Sequence, residues 1–325
     1  MTFKQNWEKK ELQLQLPMKT IKSMVTLAFP GKKFGTYKII SGGCANLNIK
    51  INLKEGESSY ILRIYLRDKD AAYREQKLSD LLKPNIPLPH IYFIGDYNNY
   101  RFAITEYISG ITLRELLLGN EPYDLSAIMF EVGQLLARIQ SHHFRTAGFF
   151  DTHLNIAEKT SQDGLLAFAK NCLESPTIIN ALNADDLSKI SYYLETHKNC
   201  FPDENEKHLV HADYDPANIL VDKLNGQWKI SGILDWEFSF SGTPLWDVAN
   251  MLRYAHQMPA QFEASFIKGL QEDYTLPKHW RISINPLNLV SLLDCLIRVS
   301  LVESPNACED ICRLIQHITA TGDKI

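Results

Sequence analysis

The chain has 325 residues, 45% of them apolar and 22% charged, with a formal net charge of −4; this usage speaks against a disordered or fibrous protein and against a dedicated nucleic-acid binder, which carries a basic face. A chain of this length exceeds what one compact core covers, so two lobes sharing a cleft are expected. The polar opening from Met1 to Lys10, the lack of any apolar run of spanning length and six cysteines without Cys-x-x-Cys spacing lead us to expect a cytoplasmic protein with reduced thiols and no membrane segment.

In chain order, Thr20 to Phe29 reads as a short amphipathic helix ended by Pro30-Gly31. The period then changes to that of strands at Phe34 to Ile40, Leu47 to Leu53 and Tyr60 to Tyr65, separated by Ser41-Gly42-Gly43 and Lys54-Glu55-Gly56-Glu57, as in an antiparallel meander. A helix from Asp70 to Leu82 is closed by Pro84. His90 to Gly95 and Arg101 to Thr105 form a hairpin around Tyr97-Asn98-Asn99.

From Thr112 onward the spacing is helical, over Leu113 to Leu118, Leu125 to His143, Gly164 to Leu173 and Asp185 to His197. Short strands return at His208 to Val210, Ile219 to Val221 and Trp228 to Leu234. Helices follow at Pro244 to Ala255, Pro259 to Asp273, Pro286 to Val302 and Cys308 to Thr319. The expected class is α+β, with a β-rich N-lobe over residues 1–108 and a larger helical C-lobe over residues 109–325, joined near Glu106 to Gly110. Cys308 and Cys312, four apart on one helix face with no further ligands, read as core packing.

The chemistry concentrates in His211-Ala212-Asp213-Tyr214-Asp215-Pro216-Ala217-Asn218, between two strand-like runs. Its Asp-x-x-x-x-Asn spacing is that of the protein-kinase catalytic loop. Asp213 would take the proton of an acceptor hydroxyl, and Asn218, one loop length on, would offer its amide oxygen to Mg2+. His211 would brace the loop by hydrogen bonding. Asp235, ending the apolar run Ile233-Leu234, would supply the carboxylate that binds Mg2+.

With Ala212 where protein kinases carry arginine, followed by Leu234-Asp235-Trp236-Glu237 and Gly242-Thr243-Pro244-Leu245-Trp246-Asp247-Val248-Ala249, the chain resembles the aminoglycoside phosphotransferase and choline kinase superfamily from about Lys38 to about Tyr254. The resemblance implies a protein-kinase-like fold with ATP or GTP between the lobes. It also implies transfer of the γ-phosphoryl to a hydroxyl of a small molecule. On this footing the turn carrying Gly43 and Asn46 presents N–H groups to phosphates. Arg63 stands where the kinase pattern places a lysine, paired with Glu75, and Lys50 on the preceding strand is the other candidate for the phosphate contact. Ala103 to Ile108 resembles the hinge, with the Glu106 carbonyl and the Ile108 N–H facing the adenine edge.

On the acceptor side Asp215, Glu237, Asp247 and Glu303 are carboxylates that suit ammonium groups, although Asp247 reads better as a brace of the catalytic loop. Tyr214, Trp236, Trp246 and Tyr254 form either core or an aromatic box for a quaternary ammonium such as choline. The His142-His143 pair reads as a favourable charge at a helix C-terminus rather than a metal site. The acceptor is an aminoglycoside-type antibiotic or, alternatively, a metabolite such as choline, homoserine or an amino sugar. The remaining readings are a protein kinase and a nucleotide-binding pseudokinase acting as an interaction module. Nucleotide and small-molecule acceptor are the expected partners, with no nucleic acid or membrane, in a monomer or homodimer.

Overall fold

The computed structural model describes residues 3–8, 16–40, 46–54, 56, 58–201 and 205–321. The first lobe runs α1 (Met18–Ala28), β1 (Phe34–Ile40), β2 (Asn46–Leu53), β3 (Ser59–Tyr65), α2 (Ala71–Leu82), β4 (Ile91–Tyr97) and β5 (Tyr100–Glu106). Its five strands form one antiparallel sheet in the order β1-β2-β3-β5-β4. Asn98 and Asn99 both take positive φ, the conformation that a tight two-residue hairpin requires and that asparagine tolerates.

Strand alternation divides this sheet into two unlike faces. Ile49, Ile51, Leu62, Ile64, Phe102 and Ile104 point one way and are buried under Ile21, Met24 and Val25 of α1. The register pairs Asn46 with Tyr65, Asn48 with Arg63 and Lys50 with Ile61, so Asn46, Lys50 and Arg63 share the opposite face. That face, partly covered by α2, looks toward the second lobe.

The second lobe contains β6 (Ile111–Thr112), α3 (Leu113–Leu118), α4 (Leu125–Gln140), β7 (Gly148–Phe150), β8 (Ile156–Lys159), α5 (Gln162–Leu173), α6 (Pro176–Ala181) and α7 (Ala184–Thr196). It continues with β9 (His208–Val210), β10 (Ile219–Leu224), β11 (Gln227–Ile233), β12 (Phe240–Gly242), α8 (Leu245–Leu252), α9 (Ala260–Leu270), α10 (Trp280–Arg298) and α11 (Pro305–Thr321). A capping box between Thr112 and Glu115 starts α3 as the chain leaves the first lobe. Two small sheets, β11-β10-β6 and β8-β7-β12-β9, flank residues 211–218, because β9 leads into that loop and β10 leads out.

The scaffold under the loop is tightly packed. Where α4 meets α9, a Cβ on Gly133 would lie 2.1 Å from the Phe266 carbonyl oxygen, and one on Gly269 would lie 2.0 Å from that of Phe130. The two backbones therefore touch with no side chain between them. From α4 the Val132 carbonyl accepts the Tyr214 hydroxyl at 2.8 Å, tying the middle of the loop to this crossing.

Three features depart from the sequence expectations. The short strands β6, β7, β8 and β12 and the helix α6 were not anticipated. Helix α10 starts at Trp280 and runs through Pro286 rather than beginning there. Trp280, Ile284, Leu287 and Leu293 are buried on both sides of the proline, and this packing outweighs the roughly 3 kcal/mol that an interior proline costs. Residues 3–8, counted with the first lobe by sequence, pack instead on the second, where Phe3 lies buried with its ring centroid 5.2 Å from that of Tyr254 and 6.0 Å from that of Phe262. Among the described residues no helix is long and apolar enough to cross a membrane.

Candidate active site

Residues 211–218 are held from below by α8. The Asp247 carboxylate accepts the backbone N–H of His211 and that of Ala212, each at 2.8 Å, and the Asn250 side chain donates to the Ala212 carbonyl at 2.7 Å. These bonds fix Ala212 at φ +72°, a left-handed conformation that a residue with a Cβ keeps only when its surroundings impose it. His211 is fully buried. Its Nε2 lies 2.9 Å from the Leu234 carbonyl and its Nδ1 accepts the Asp213 N–H at 3.2 Å, which assigns the neutral ring with its proton on Nε2. Burial lowers the His211 pKa further, in keeping with that form.

Asp213 is thereby presented from a rigid backbone. The Asn218 amide nitrogen donates to the Asp213 carbonyl at 2.9 Å and to its Oδ2 at 2.8 Å, which leaves the amide oxygen on the far side. Burial opposes ionisation of Asp213, but the Lys4 ammonium and the Asn218 bond together hold its carboxyl below the usual carboxylate range.

Asp247 shows the opposite balance, since burial pushes it up to about 7 against the pull of two backbone N–H bonds. A carboxyl raised in the folded state contributes stability that is complete below its unfolded pKa of about 4 and is lost as pH rises through the folded value. Urea midpoints of the wild type should therefore fall between about pH 4 and about pH 7 more steeply than those of Asp247→Asn. Equal slopes would contradict this assignment.

A second cluster lies across the cleft. Arg63 Nη2 on β3 is 3.1 Å from Glu75 Oε1 on α2, 2.5 Å from Asp235 Oδ1 and 3.9 Å from Glu237 Oε2. The Tyr65 hydroxyl donates to Glu75 at 2.5 Å and the Asn46 amide to Glu237 at 2.7 Å. Asp235 takes φ +68° just after β11, and a 3-10 turn at Trp236–Phe238 follows it, so the chain doubles back and aims both carboxylates at the sheet. Burial disfavours the charge on Arg63, yet Glu75 and Asp235 more than restore it. Burial and then Asp235 push Glu237 up to about 7. Arg63 Nε, Asn46 Oδ1 and Glu237 Oε1 are buried without a protein partner.

A family model described as "Phosphotransferase enzyme family" matches residues 36–282, which include the Arg63 cluster and the 211–218 loop. The chain belongs to that family. The solved structures it is similar to include a thermostable mutant of an aminoglycoside phosphotransferase, APH(4)-Ia, in ternary complex with ADP and hygromycin B, at 18% identity and a TM-score of 0.71, covering 94% of this chain and 100% of that one. Macrolide 2′-phosphotransferase MphH from Brachybacterium faecium matches at 14% identity and 0.62, covering 91% and 97%. Spectinomycin phosphotransferase APH(9)-Ia, in complex with ADP and spectinomycin, matches at 12% and 0.60, covering 96% and 100%. No curated protein matches by sequence. The fold is the kinase-like one of these phosphotransferases.

Lys50 lies 3.6 Å from the centroid of the Tyr107 ring, so Arg63 and not Lys50 joins the acidic cluster. The Glu106 carboxylate turns back to the His90 N–H at 3.2 Å, and the Ile108 side chain packs over Gly232. Gly43, with its turn, lies outside the described residues. Asp215 is buried beside Asp213, its Oδ1 accepting the Ala217 N–H at 2.7 Å. Glu237, read as an acceptor carboxylate, belongs to the Arg63 cluster instead, because the 3-10 turn carries it there. Glu303 is exposed, and Tyr214, Trp236 and Tyr254 are core residues.

Asn218 and Asp235 are hard oxygen donors of the kind Mg2+ takes, and few protein ligands are needed when phosphates supply the rest. The orphaned Asn46, Arg63 and Glu237 atoms beside them are polar groups that a bound phosphate and its cation would engage. The residues present fit that cation. Sequence reasoning missed Lys4, whose ammonium contacts both Asp213, at 3.2 Å, and Asp215. It also missed Asn250, for which the three-residue spacing from Asp247 on a buried helix was the available signal.

Proposed function

We propose that this chain is a Mg2+-dependent small-molecule kinase, cytoplasmic, that moves the γ-phosphoryl of ATP or GTP to a hydroxyl of a cationic acceptor. The observation that carries the reading is the pairing of a rigidly presented Asp213, braced by His211 and Asn218, with an arginine-carboxylate cluster across the cleft.

Each residue has a distinct task in this scheme. The Glu106 carbonyl and Ile108 N–H take the adenine edge, while Gly43, Asn46 and Arg63 take the phosphates, with Glu75 fixing the guanidinium from behind. Asn218 and Asp235 hold Mg2+, which when bound draws charge from the phosphate oxygens. Asp213 orients the acceptor hydroxyl and receives its proton as the new P–O bond forms. Catalysis is then mainly positioning and charge stabilisation.

A cationic acceptor suits the buried Asp215 beside Asp213. The core positions of Tyr214, Trp236 and Tyr254 weigh against an aromatic box and so against choline. The similar structures named above include complexes with hygromycin B and spectinomycin and a macrolide 2′-phosphotransferase, which supports testing an antibiotic first among acceptors and an amino sugar or homoserine second. The test is Mg2+-dependent turnover of ATP and GTP with hygromycin B, spectinomycin, a macrolide, choline, homoserine and glucosamine. One compound should raise turnover well above the acceptor-free rate in wild type and not in Asp213→Ala. Turnover that no acceptor raises, in a protein that still binds nucleotide, would favour the pseudokinase.

A further inference from the structure

The six residues 3–8 make more specific contacts than a chain terminus needs. Phe3 is buried between Tyr254 and Phe262, and its carbonyl accepts Arg114 Nη1 at 3.3 Å. Trp7 Nε1 donates to Asp310 at 2.7 Å. The Glu8 carboxylate accepts the N–H groups of Asn306 at 2.7 Å and Ala307 at 3.1 Å, in the first turn of α11. Such bonds satisfy helix donors that otherwise lack partners.

Between these anchors Lys4 is driven into the 211–218 loop. Its ammonium is 3.2 Å from Asp213 Oδ1 and also paired with Asp215, while Asn218 holds Asp213 Oδ2. Each oxygen of Asp213 thus already holds a protein donor, and an acceptor hydroxyl must compete with the Lys4 ammonium for Oδ1. Phe3 and Lys4 both carry positive φ, +37° and +62°, a conformation that residues with large side chains keep only under compensation. The segment is anchored at both ends and strained at Phe3 and Lys4.

We propose that residues 3–8 are a displaceable internal occupant of the acceptor site, in which the Lys4 ammonium stands in for a cationic group of the acceptor and blocks Asp213 until an acceptor expels it. This rests on the kinase reading and deepens it. When Lys4 leaves, the buried Asp215 keeps the Ala217 N–H on Oδ1 but loses the cation on Oδ2, so the molecule that takes its place brings a cation of its own. An alcohol carrying an amine answers that demand, and a neutral polyol does not. The device also restrains wasteful hydrolysis of nucleotide, since water at the empty acceptor position finds Asp213 already taken.

The test measures ATP hydrolysis with Mg2+ and no acceptor, together with hydrogen exchange of the 3–8 amides. Lys4→Met should raise hydrolysis by about five-fold, and Glu8→Ala, which loosens the far anchor without touching the loop, should raise it by less. Adding Asp213→Ala to Lys4→Met should cancel the gain. Exchange of the 3–8 amides should quicken by about ten-fold in both single variants. Hydrolysis that falls or stays level in Lys4→Met overturns the proposal, a fall marking Lys4 as a resident working cation. If neither wild type nor variant turns nucleotide over, the kinase reading fails by itself. Exchange then decides the strap alone, with equal exchange in wild type and Lys4→Met overturning it.

Discussion

Asp213→Ala should lower kcat for phosphorylation of the acceptor by about 10³-fold while leaving nucleotide affinity within about two-fold. The asymmetry follows from where the contacts lie. The Asp213 carboxylate touches Asn218 and Lys4, whereas the phosphate-facing groups are tied to Arg63, Glu75, Asp235 and Glu237. The backbone of the loop is set by Asp247, Asn250 and His211, none of which needs the Asp213 side chain. Asp213→Asn keeps the shape but can accept a proton no better than alanine, so it should be nearly as inactive. Steady-state kinetics with the acceptor found in the panel, alongside calorimetric nucleotide titration, check both halves. A variant that keeps more than about a tenth of kcat would reduce Asp213 to a group that only orients the hydroxyl.

Arg63→Ala should cost about 3 to 5 kcal/mol of stability, the largest structural effect of any single change in the site. Its side chain is 12% exposed, and its removal takes from the buried Glu75 and Glu237 the guanidinium that contacts both carboxylates, while Arg74 meets the Glu237 backbone carbonyl at 3.5 Å. Arg63→Lys should recover part of the loss, because an ammonium keeps the charge but lacks the fork that meets Glu75 and Asp235 together. The pH dependence has a definite sign. Glu75 and Glu237 are already raised in the folded protein by burial, and losing Arg63 raises them further. Carboxyls raised on folding stabilise below their unfolded pKa and cease to do so as pH climbs through the folded one. The deficit of Arg63→Ala, read from urea midpoints, should therefore be small near pH 5 and grow toward pH 8. A deficit independent of pH would show that the guanidinium acts through packing alone.

Much of this was legible in the sequence, and the reasons are physical. The strands of the first lobe announce themselves because one face is buried under α1, which enforces a period of two, and because Asn98-Asn99 can turn tightly. Asp213, Asn218 and Asp235 stand out because the Asp-x-x-x-x-Asn spacing is joined by a carboxylate that ends an apolar strand. The rest was hidden for separate reasons. Strands β6, β7 and β8 are two, three and four residues long, so partners and not patterns create them. Pro286 masks a helix whose buried face continues past it. Lys4 reaches Asp213 through a non-periodic segment across 209 positions, a contact no local signal encodes. Ala212 hides its left-handed backbone because alanine rarely adopts it, and only Asp247 and Asn250, three apart on a helix with almost every residue buried, hint that something above is being held.

The Arg63 cluster also bears on how the two lobes respond to a nucleotide. Asn46, Arg63 and Glu75 belong to the first lobe, Asp235 and Glu237 to the second, and their bonds cross the cleft. Carboxylates and donors from the two lobes thus already satisfy one another. On the kinase reading proposed above, a triphosphate would compete for the donors and its cation would be held by the carboxylates, so that nucleotide binding would be an exchange of partners rather than the filling of an empty cleft.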